Sequence, residues 1–135
     1  ACSERGHFLG RLHRDPLHFR VPCADLPLLP AVIPEAYPLV LREGLANGVL
    51  PLASDFSGFA EGLDNLVGDL GAERVELMRL PMQDDIRVAG IACRVRALLT
   101  EQHDWSSELR SIATARYDWS IRAEQMASAY RDFLA

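Results

Sequence analysis

Two glutamates eight residues apart, Glu35 and Glu43, are the residues of this sequence best placed to do chemistry. Glu35 stands before a predicted helix that begins at Pro38, and Glu43 lies inside it. Eight residues of helix make about 2.2 turns, so both carboxylates can lie on similar azimuths, or Glu35 can fold over the helix start. The unpaired N–H groups of Leu39 to Leu41 would face the same mouth and can hold an anion. Carboxylates that bind hydroxyl groups beside an anion pocket suit a sugar joined to a diphosphate.

The same two acids also have an ordinary structural interpretation. Glu35 can stabilise the helix dipole from its position near the N-terminus, and Glu43 can be a solvated surface residue. Acids eight residues apart are common in proteins, so the spacing taken alone favours this second interpretation.

The elements around the glutamates predict a parallel α/β sheet. Turn residues and apolar runs predict strands over residues 7–10, 26–33, 49–53 and 73–80. Proline starts, apolar spacing and glycine stops predict helices that begin at Asp15 and after Pro81, and others over residues 38–47, 59–66, 105–115 and 119–134. Alternating strands and helices are typical of a parallel sheet, in which ligands bind at the carboxyl ends of the strands.

Several other side chains are predicted to be structural. Cys93 lies in an apolar helical stripe and is expected to be buried, and Trp105, Trp119 and Tyr130 are expected to belong to the core. The sequence places His13, Asp15 and His18 close together, but their spacing matches no standard set of metal ligands. No metal site is therefore predicted.

Composition excludes several classes of function. The chain has 135 residues, a net charge of −5 and no lysine. The absence of lysine rules out Schiff-base chemistry and a P-loop lysine in this chain, and the negative charge disfavours nucleic-acid binding. No apolar run is long enough to span a membrane. Three cysteines without metal-type spacing predict reduced thiols and a cytoplasmic protein.

The segment 34–61 has the pattern of a known family. It reads Pro-Glu-x-Tyr-x-Leu-Val-x-x-Glu-x-x-Ala-x-Gly-Val over residues 34–49, then Pro-x-x-Ser-Asp over 51–55 and Gly-x-x-Glu over 58–61. This pattern resembles the donor-binding half of retaining glycosyltransferases of the two-Rossmann-domain (GT-B) type, particularly family 4. Residues 8–10, 23–25 and 117–120 resemble flanking segments of the same family, so the resemblance covers nearly the whole chain.

The resemblance implies a donor site and no catalytic residue, cofactor or metal in this chain. Glu35 would hydrogen-bond hydroxyls of the donor sugar, Glu43 would bind the ribose hydroxyls, and the backbone N–H groups of Leu39 and Val40 would contact phosphates or sugar. The implied donor-binding residues are Glu35, Ala36, Tyr37, Pro38, Leu39, Val40 and Glu43. Pro38, predicted at the first helical position, stands where the family usually has glycine, and Ser57 replaces the first glycine of a pair.

The resemblance also implies that residues 1–135 are part of a larger enzyme. They would form a truncated Rossmann-like parallel sheet of about four strands with C-terminal helices, a partial nucleotide-sugar-binding domain. The N-terminal acceptor domain and the first strands of the donor domain would be missing. The implied partners are a nucleotide-sugar donor, an unknown acceptor and the missing domain, and this piece alone would be inactive.

Two further expectations accompany this interpretation. A truncated sheet exposes an edge, which predicts a homodimer formed through that edge. Pro38 and Ser57 motivate an alternative function, a non-catalytic Rossmann-like binding or structural module that has lost donor binding. Another enzyme with two Rossmann domains, such as a sugar-nucleotide epimerase or a phosphorylase, is a further alternative that fits the 34–48 pattern less well.

Overall fold

Three short parallel strands form the centre of the fold. The computed structural model describes residues 6–13, 19–82, 87–100 and 104–134. The strands are β1 (Leu28–Leu29), β2 (Leu52–Ser54) and β3 (Arg79–Leu80), in the order β1-β2-β3. Both pairings are parallel, which confirms the predicted mixed α/β class. The described residues contain three strands rather than about four.

Helices make up most of the remaining described chain. A short 3-10 helix, Val21–Cys23, precedes β1. The α-helices are α1 (Leu39–Ala46), α2 (Ser57–Asp64), α3 (Val67–Leu70), α4 (Ala72–Met78), α5 (Arg87–Thr100), α6 (Ser106–Tyr117) and α7 (Trp119–Leu134). The helices predicted over 38–47, 59–66, 105–115 and 119–134 are confirmed within a few residues at each end. The helix predicted from Asp15 begins outside the described residues.

The strand predicted over residues 7–10 is absent. These residues form no regular element, and the side chain of Phe8 is fully exposed. A strand is stabilised by pairing with a neighbour, and the described sheet offers this segment none. An apolar run that ends in glycine is therefore not sufficient to make a strand here.

The strand predicted over residues 73–80 is mostly a helix. Residues 72–78 form α4, and only Arg79 and Leu80 pair with β2. The buried side chains of this stretch are Val75 and Met78, three residues apart, while Leu77 is half-buried. Spacing by three is the helical pattern, so the alternation of Val75 and Leu77 was a misleading signal.

The hydrophobic core lies between the sheet, α1, α2 and α6. α1 packs against α6, and α2 packs against β2. The most completely buried core side chains are Leu41, Leu45, Leu52, Ala53, Phe59, Leu63, Leu66, Val75, Met78, Leu80 and Leu109. The start of α1 is thereby fixed against a packed layer.

Three predicted core residues lie on the surface. Cys93 is exposed, and the exposed fractions of Trp119 and Tyr130 are 84% and 61%. Trp105 packs against the core, as predicted. The error has one main cause, because Trp119 and Tyr130 belong to α7, which has no buried residue. Among the described residues no helix has the length and apolar character that crossing a membrane requires.

The same three residues, Asp-Trp-Ser, stand at the starts of α6 and α7, as residues 104–106 and 118–120. Asp104 Oδ1 accepts hydrogen bonds from the N–H of Ser106 at 2.9 Å and from its hydroxyl at 2.6 Å. Asp118 Oδ1 accepts the same pair from Ser120 at 2.8 and 2.6 Å. Each aspartate caps free N–H groups at the start of its helix.

The cap at Asp118 predicts a pH-dependent contribution to stability. Hydrogen bonds from the Ser120 hydroxyl and then the Ser120 N–H lower the pKa of Asp118 below its ordinary value of 3.8. A lowered pKa in the folded state stabilises the fold above pH 3.8, and this contribution is lost as the pH falls through the lowered pKa. Asp118→Ala should therefore have a lower urea midpoint than the wild type at neutral pH, and the difference should shrink in acid. Asp118→Asn, which can cap without titrating, should show less of this pH dependence; a difference that stays constant into strong acid would contradict the assignment.

Candidate functional site

The connection between β1 and α1 carries the residues predicted to bind a donor. It leaves the carboxyl end of β1 and is fixed near its start by Ser54, whose hydroxyl donates to the carbonyl of Ala31 at 2.8 Å. Further along, Glu35, Ala36 and Tyr37 are exposed, whereas Pro38 is buried. The predicted site is therefore an open surface at the carboxyl end of the sheet.

The start of α2 holds this connection in place. The carbonyl of Glu35 accepts a hydrogen bond from the Gly58 N–H at 2.8 Å and another from the Ser57 hydroxyl at 3.0 Å. A Cβ atom at position 58 would lie 2.3 Å from the Glu35 oxygen and 2.5 Å from the Ala36 oxygen, so only glycine fits. Two parts of the sequence pattern, residues 34–49 and 58–61, are thus in direct contact.

Ser57 has a backbone conformation that favours glycine. Its φ is 55°, in the left-handed region that L-residues rarely adopt. Serine thus takes the conformation that a first glycine of a glycine pair would allow, and its hydroxyl adds the bond to Glu35. Ser57 therefore forms this turn without a glycine.

Pro38 is the N-cap of α1 and not its first helical residue as predicted. Its φ and ψ are −69° and 104°, an extended conformation, and the helix begins at Leu39. Proline fixes φ near this value and has no N–H, so the free donors at the helix start are those of Leu39, Val40 and Leu41. Proline at position 38 supplies no N–H, and the helix begins directly after it.

Glu43 lies on the outward side of α1. The buried positions of this helix are Leu41, Gly44 and Leu45. Leu39, one turn before Glu43, is 57% exposed, and Glu43 itself is half-buried. At 100° per residue Glu43 falls on the side of the helix between Leu39 and Val40. Its carboxylate therefore lies on the same side of α1 as the exposed Leu39 and Val40, which carry free N–H groups at the start of the helix.

Arg42 is a feature of this region that sequence analysis missed. Its guanidinium lies 3.4 Å from the centroid of the Tyr37 ring and 5.3 Å from that of Tyr117, and Nη1 donates to the Pro38 carbonyl at 2.9 Å. Nε is buried and has no partner among the described residues. Arg42 thereby joins the loop before α1 to the end of α6. Tyr117 is 75 positions away in sequence, so no local pattern indicates the contact.

A second missed feature is the cluster of charges around Arg79, the first residue of β3, beside the carboxyl end of β2. The Arg79 guanidinium donates to the carboxylates of Asp55 and Asp64, and Glu76 lies 3.7 Å from it. Arg94 donates to the Arg79 carbonyl and, at 2.9 Å, to Glu76. Burial would lower the pKa of Arg79, but its hydrogen bonds to Asp64 and Asp55 outweigh that effect and raise the pKa. This cluster fixes the turn that leads to Ser57 and Gly58.

A cavity of about 300 Å³ lies away from the candidate site. Residues 24–26 and 48–50, which precede β1 and β2, line it together with Leu98 and Trp105. It therefore opens at the amino ends of the strands, opposite to the glutamates. Among the described residues no group of histidine, cysteine and acidic side chains is arranged to hold a metal ion.

Comparisons with known proteins give no match. No protein-family model, no curated protein and no solved structure matched the chain. The function therefore has to be argued from the residues and their geometry.

Proposed function

We propose that this chain is the donor-binding part of a retaining glycosyltransferase that transfers a sugar from a nucleotide-sugar to an acceptor. The observation that carries the proposal is the contact of the Glu35 carbonyl with Ser57 and Gly58. It joins the two parts of the sequence pattern at the carboxyl end of a parallel sheet, the edge at which open α/β sheets bind ligands.

The proposed roles use groups that face outward from this edge. Glu35 binds hydroxyls of the donor sugar through its exposed carboxylate, and Glu43 binds the ribose hydroxyls from the outer side of α1. The N–H groups of Leu39 and Val40 offer hydrogen bonds and the positive end of the helix dipole to a phosphate. Ala36, Tyr37 and Pro38 line the approach. None of these residues is assigned a proton-transfer step, so the chain supplies binding and charge stabilisation.

The open shape of the site supports a role for a second domain. Glu35, Ala36, Tyr37, Leu39 and Val40 are all exposed, whereas small-molecule sites usually enclose most of their ligand. We propose that an acceptor-binding domain forms the opposite wall and that residues 1–135 alone do not transfer sugar. The free thiols of Cys23 and Cys93 agree with a proposed cytoplasmic location.

Glu43→Ala tests the proposal. We expect nucleotide diphosphates and their sugar derivatives to bind, and we expect the substitution to weaken that binding at least about tenfold, since hydrogen bonds to a charged group contribute about 1.5–3 kcal/mol. Calorimetric titration of UDP, GDP and ADP and of their hexose derivatives measures the effect, in this chain and in the two-domain protein.

Glu73→Ala is the matched control. Glu73 is also a helical glutamate, but it is exposed and lies in the first turn of α4, away from the proposed site. The Glu73→Ala variant should bind these nucleotides as the wild type does. If no nucleotide binds to the wild-type sequence, either as this chain or within the two-domain protein, the donor site is not where we place it. The same conclusion follows if Glu43→Ala and Glu73→Ala have equal nucleotide affinities.

One observation favours the alternative of a non-catalytic module. Pro38 removes a donor at the point where the phosphate would approach, while its ring is buried and supports the fold. A module of this kind would keep the fold and the Ser57–Glu35 contact but would bind no nucleotide-sugar. Restoring the donor with Pro38→Gly separates the two functions: a gain in nucleotide affinity supports a donor site weakened by proline, and no binding in either form supports the module.

A further inference from the structure

Arg42 lies where the loop before α1, helix α2 and the end of α6 meet. Its guanidinium stacks on the Tyr37 ring, 3.4 Å from the centroid, and lies 5.3 Å from the centroid of the Tyr117 ring. Nη1 donates to the Pro38 carbonyl at 2.9 Å. On the side of α2, a Cβ atom at Gly62 would lie 4.0 Å from Nη2. The guanidinium therefore has a fixed place between these three elements.

The packing of α1 alone does not account for an arginine at position 42. Nε is buried and has no partner among the described residues. A buried donor without a hydrogen bond costs stability, and replacing a buried ion by an apolar side chain of similar volume is often neutral. What the guanidinium adds, compared with an apolar side chain, is its stacking on the Tyr37 ring.

Arg42 covers one face of the Tyr37 ring and leaves the opposite face open. Tyr37 is 54% exposed although the guanidinium lies over its ring, so the exposed area comprises the opposite face and the ring edge. The loop is also fixed on both sides of this residue. The start of α2 binds the Glu35 carbonyl, and Arg42 binds the Pro38 carbonyl. The ring is therefore held in one place at the surface of the candidate site.

We propose that Arg42 is a positioning residue of the donor site, which holds the Tyr37 ring so that its open face packs on the donor sugar. This inference rests on the proposed function, in which Glu35 binds the sugar hydroxyls and the Leu39 N–H binds a phosphate. Tyr37 is two residues from each, at most about 7 Å along the chain, so its ring is within reach of the point where sugar and phosphate join. The C–H groups on one side of a hexose ring form an apolar surface, and burying that surface against an aromatic ring is favourable.

Arg42→Met tests this role because it keeps most of the side-chain volume and removes the planar cation. The ligands are whichever of UDP, GDP and ADP binds most tightly and the hexose derivative of that nucleotide. We expect the affinity for the nucleotide-sugar to fall at least about fivefold, since the Tyr37 ring is no longer held, and the affinity for the nucleotide alone to change less than about twofold. The urea midpoint should stay close to that of the wild type, because the lost stacking is offset by the removal of an unpaired buried donor.

Three further variants show whether Arg42 acts through the Tyr37 ring. Arg42→Lys keeps the charge but loses the planar group, so it should bind the nucleotide-sugar as weakly as Arg42→Met does. In Tyr37→Leu the ring is absent, so adding Arg42→Met should cause no further loss of nucleotide-sugar affinity. Arg96→Met is the control, since it removes an exposed arginine of α5 and should keep both affinities.

The titrations distinguish failure of this inference from failure of the proposed function. The positioning role is overturned if Arg42→Met keeps its nucleotide-sugar affinity, if it loses both affinities equally, or if its effect adds fully to that of Tyr37→Leu. Wild-type affinity in Arg42→Lys would overturn it too, since charge without stacking would then suffice. In each of these cases nucleotides still bind, so the donor site remains. If the wild type binds neither ligand, the donor site is wrong and the role of Arg42 is refuted with it.

Discussion

Replacing Gly58 by alanine is expected to lower the free energy of unfolding by about 2–4 kcal/mol. The new methyl group would lie 2.3 Å from the Glu35 oxygen and 2.5 Å from the Ala36 oxygen. Both neighbours are backbone atoms, so no side chain can rotate away to make room. The connection before α1 has to move, and it then loses the hydrogen bonds from Gly58 and Ser57 to the Glu35 carbonyl.

Gly68→Ala is the matched control for this substitution. Gly68 is also a helical glycine, but a Cβ atom there would meet no atom within 4 Å. Alanine is favoured over glycine in a helix by up to about 1 kcal/mol, so the control should be neutral or stabilising. Urea denaturation of both variants followed by circular dichroism measures the difference.

Gly58→Ala also distinguishes an effect on folding from an effect on nucleotide binding. If the donor site is where we propose, Gly58→Ala should weaken nucleotide binding even under conditions in which the variant remains folded, because it displaces Glu35. If Gly58→Ala is as stable as Gly68→Ala, the contact between Gly58 and the Glu35 carbonyl does not constrain the fold. A destabilised variant with unchanged nucleotide affinity would instead place the donor site elsewhere.

The helices of this protein could be predicted because their signals are local. α1 is bounded by Pro38 and by Gly48, whose φ of 74° ends the helix, and both residues are visible in the sequence. The amphipathic spacing that predicted α5 and α7 depends on neighbours within one or two turns. Such signals need no knowledge of the rest of the chain.

The strands could be predicted less well because each contains only two or three residues. A strand of this length has too few positions to show alternation, and its existence depends on a partner that is distant in sequence. Leu28 pairs with Leu52, and Ala53 pairs with Arg79. Residues 7–10 and 73–78 have strand-like composition but are not paired in the described sheet, so the prediction failed for both.

The candidate site, too, could be predicted only where its signals are local in sequence. Glu35 and Glu43 could be found from the sequence because they belong to one continuous segment, and the structure gives both of them solvent access. Arg42 and Arg79 could not be assigned, because their partners Tyr117, Asp55 and Asp64 are brought near only by the packing of α6 and the sheet. The surface position of α7 was likewise unpredictable, since an apolar stripe fits a core and an interface equally well.

Arg79→Met is expected to lower the free energy of unfolding by about 2–3 kcal/mol. The Arg79 side chain is only 14% exposed, and its removal leaves the carboxylates of Asp55 and Asp64 without the cation between them. Both acids are more exposed than Arg79, at 43% and 67%, so water can solvate them and the loss stays below that of a fully buried pair. Methionine keeps most of the volume of the side chain, which separates the loss of charge from the loss of packing.

Arg96→Met controls for the removal of an arginine, since Arg96 is exposed on α5 and should tolerate the change within about 0.5 kcal/mol. A double-mutant cycle with Asp64→Asn should give a coupling of about 1 kcal/mol between the two charges. Equal stabilities of the Arg79 and Arg96 variants would show that the charge cluster contributes nothing to the fold.

Gly58 and Arg79 are expected to act on the same turn from opposite ends. Arg79 binds Asp55 at the end of β2, and Gly58, three residues later, binds the Glu35 carbonyl. Residues that constrain one segment are not independent, so the double variant Gly58→Ala/Arg79→Met should lose less stability than the two single losses together. Full additivity would mean that the turn is held separately at its two ends. In that case Arg79 would stabilise the sheet without positioning Glu35, and its substitution would leave nucleotide affinity unchanged.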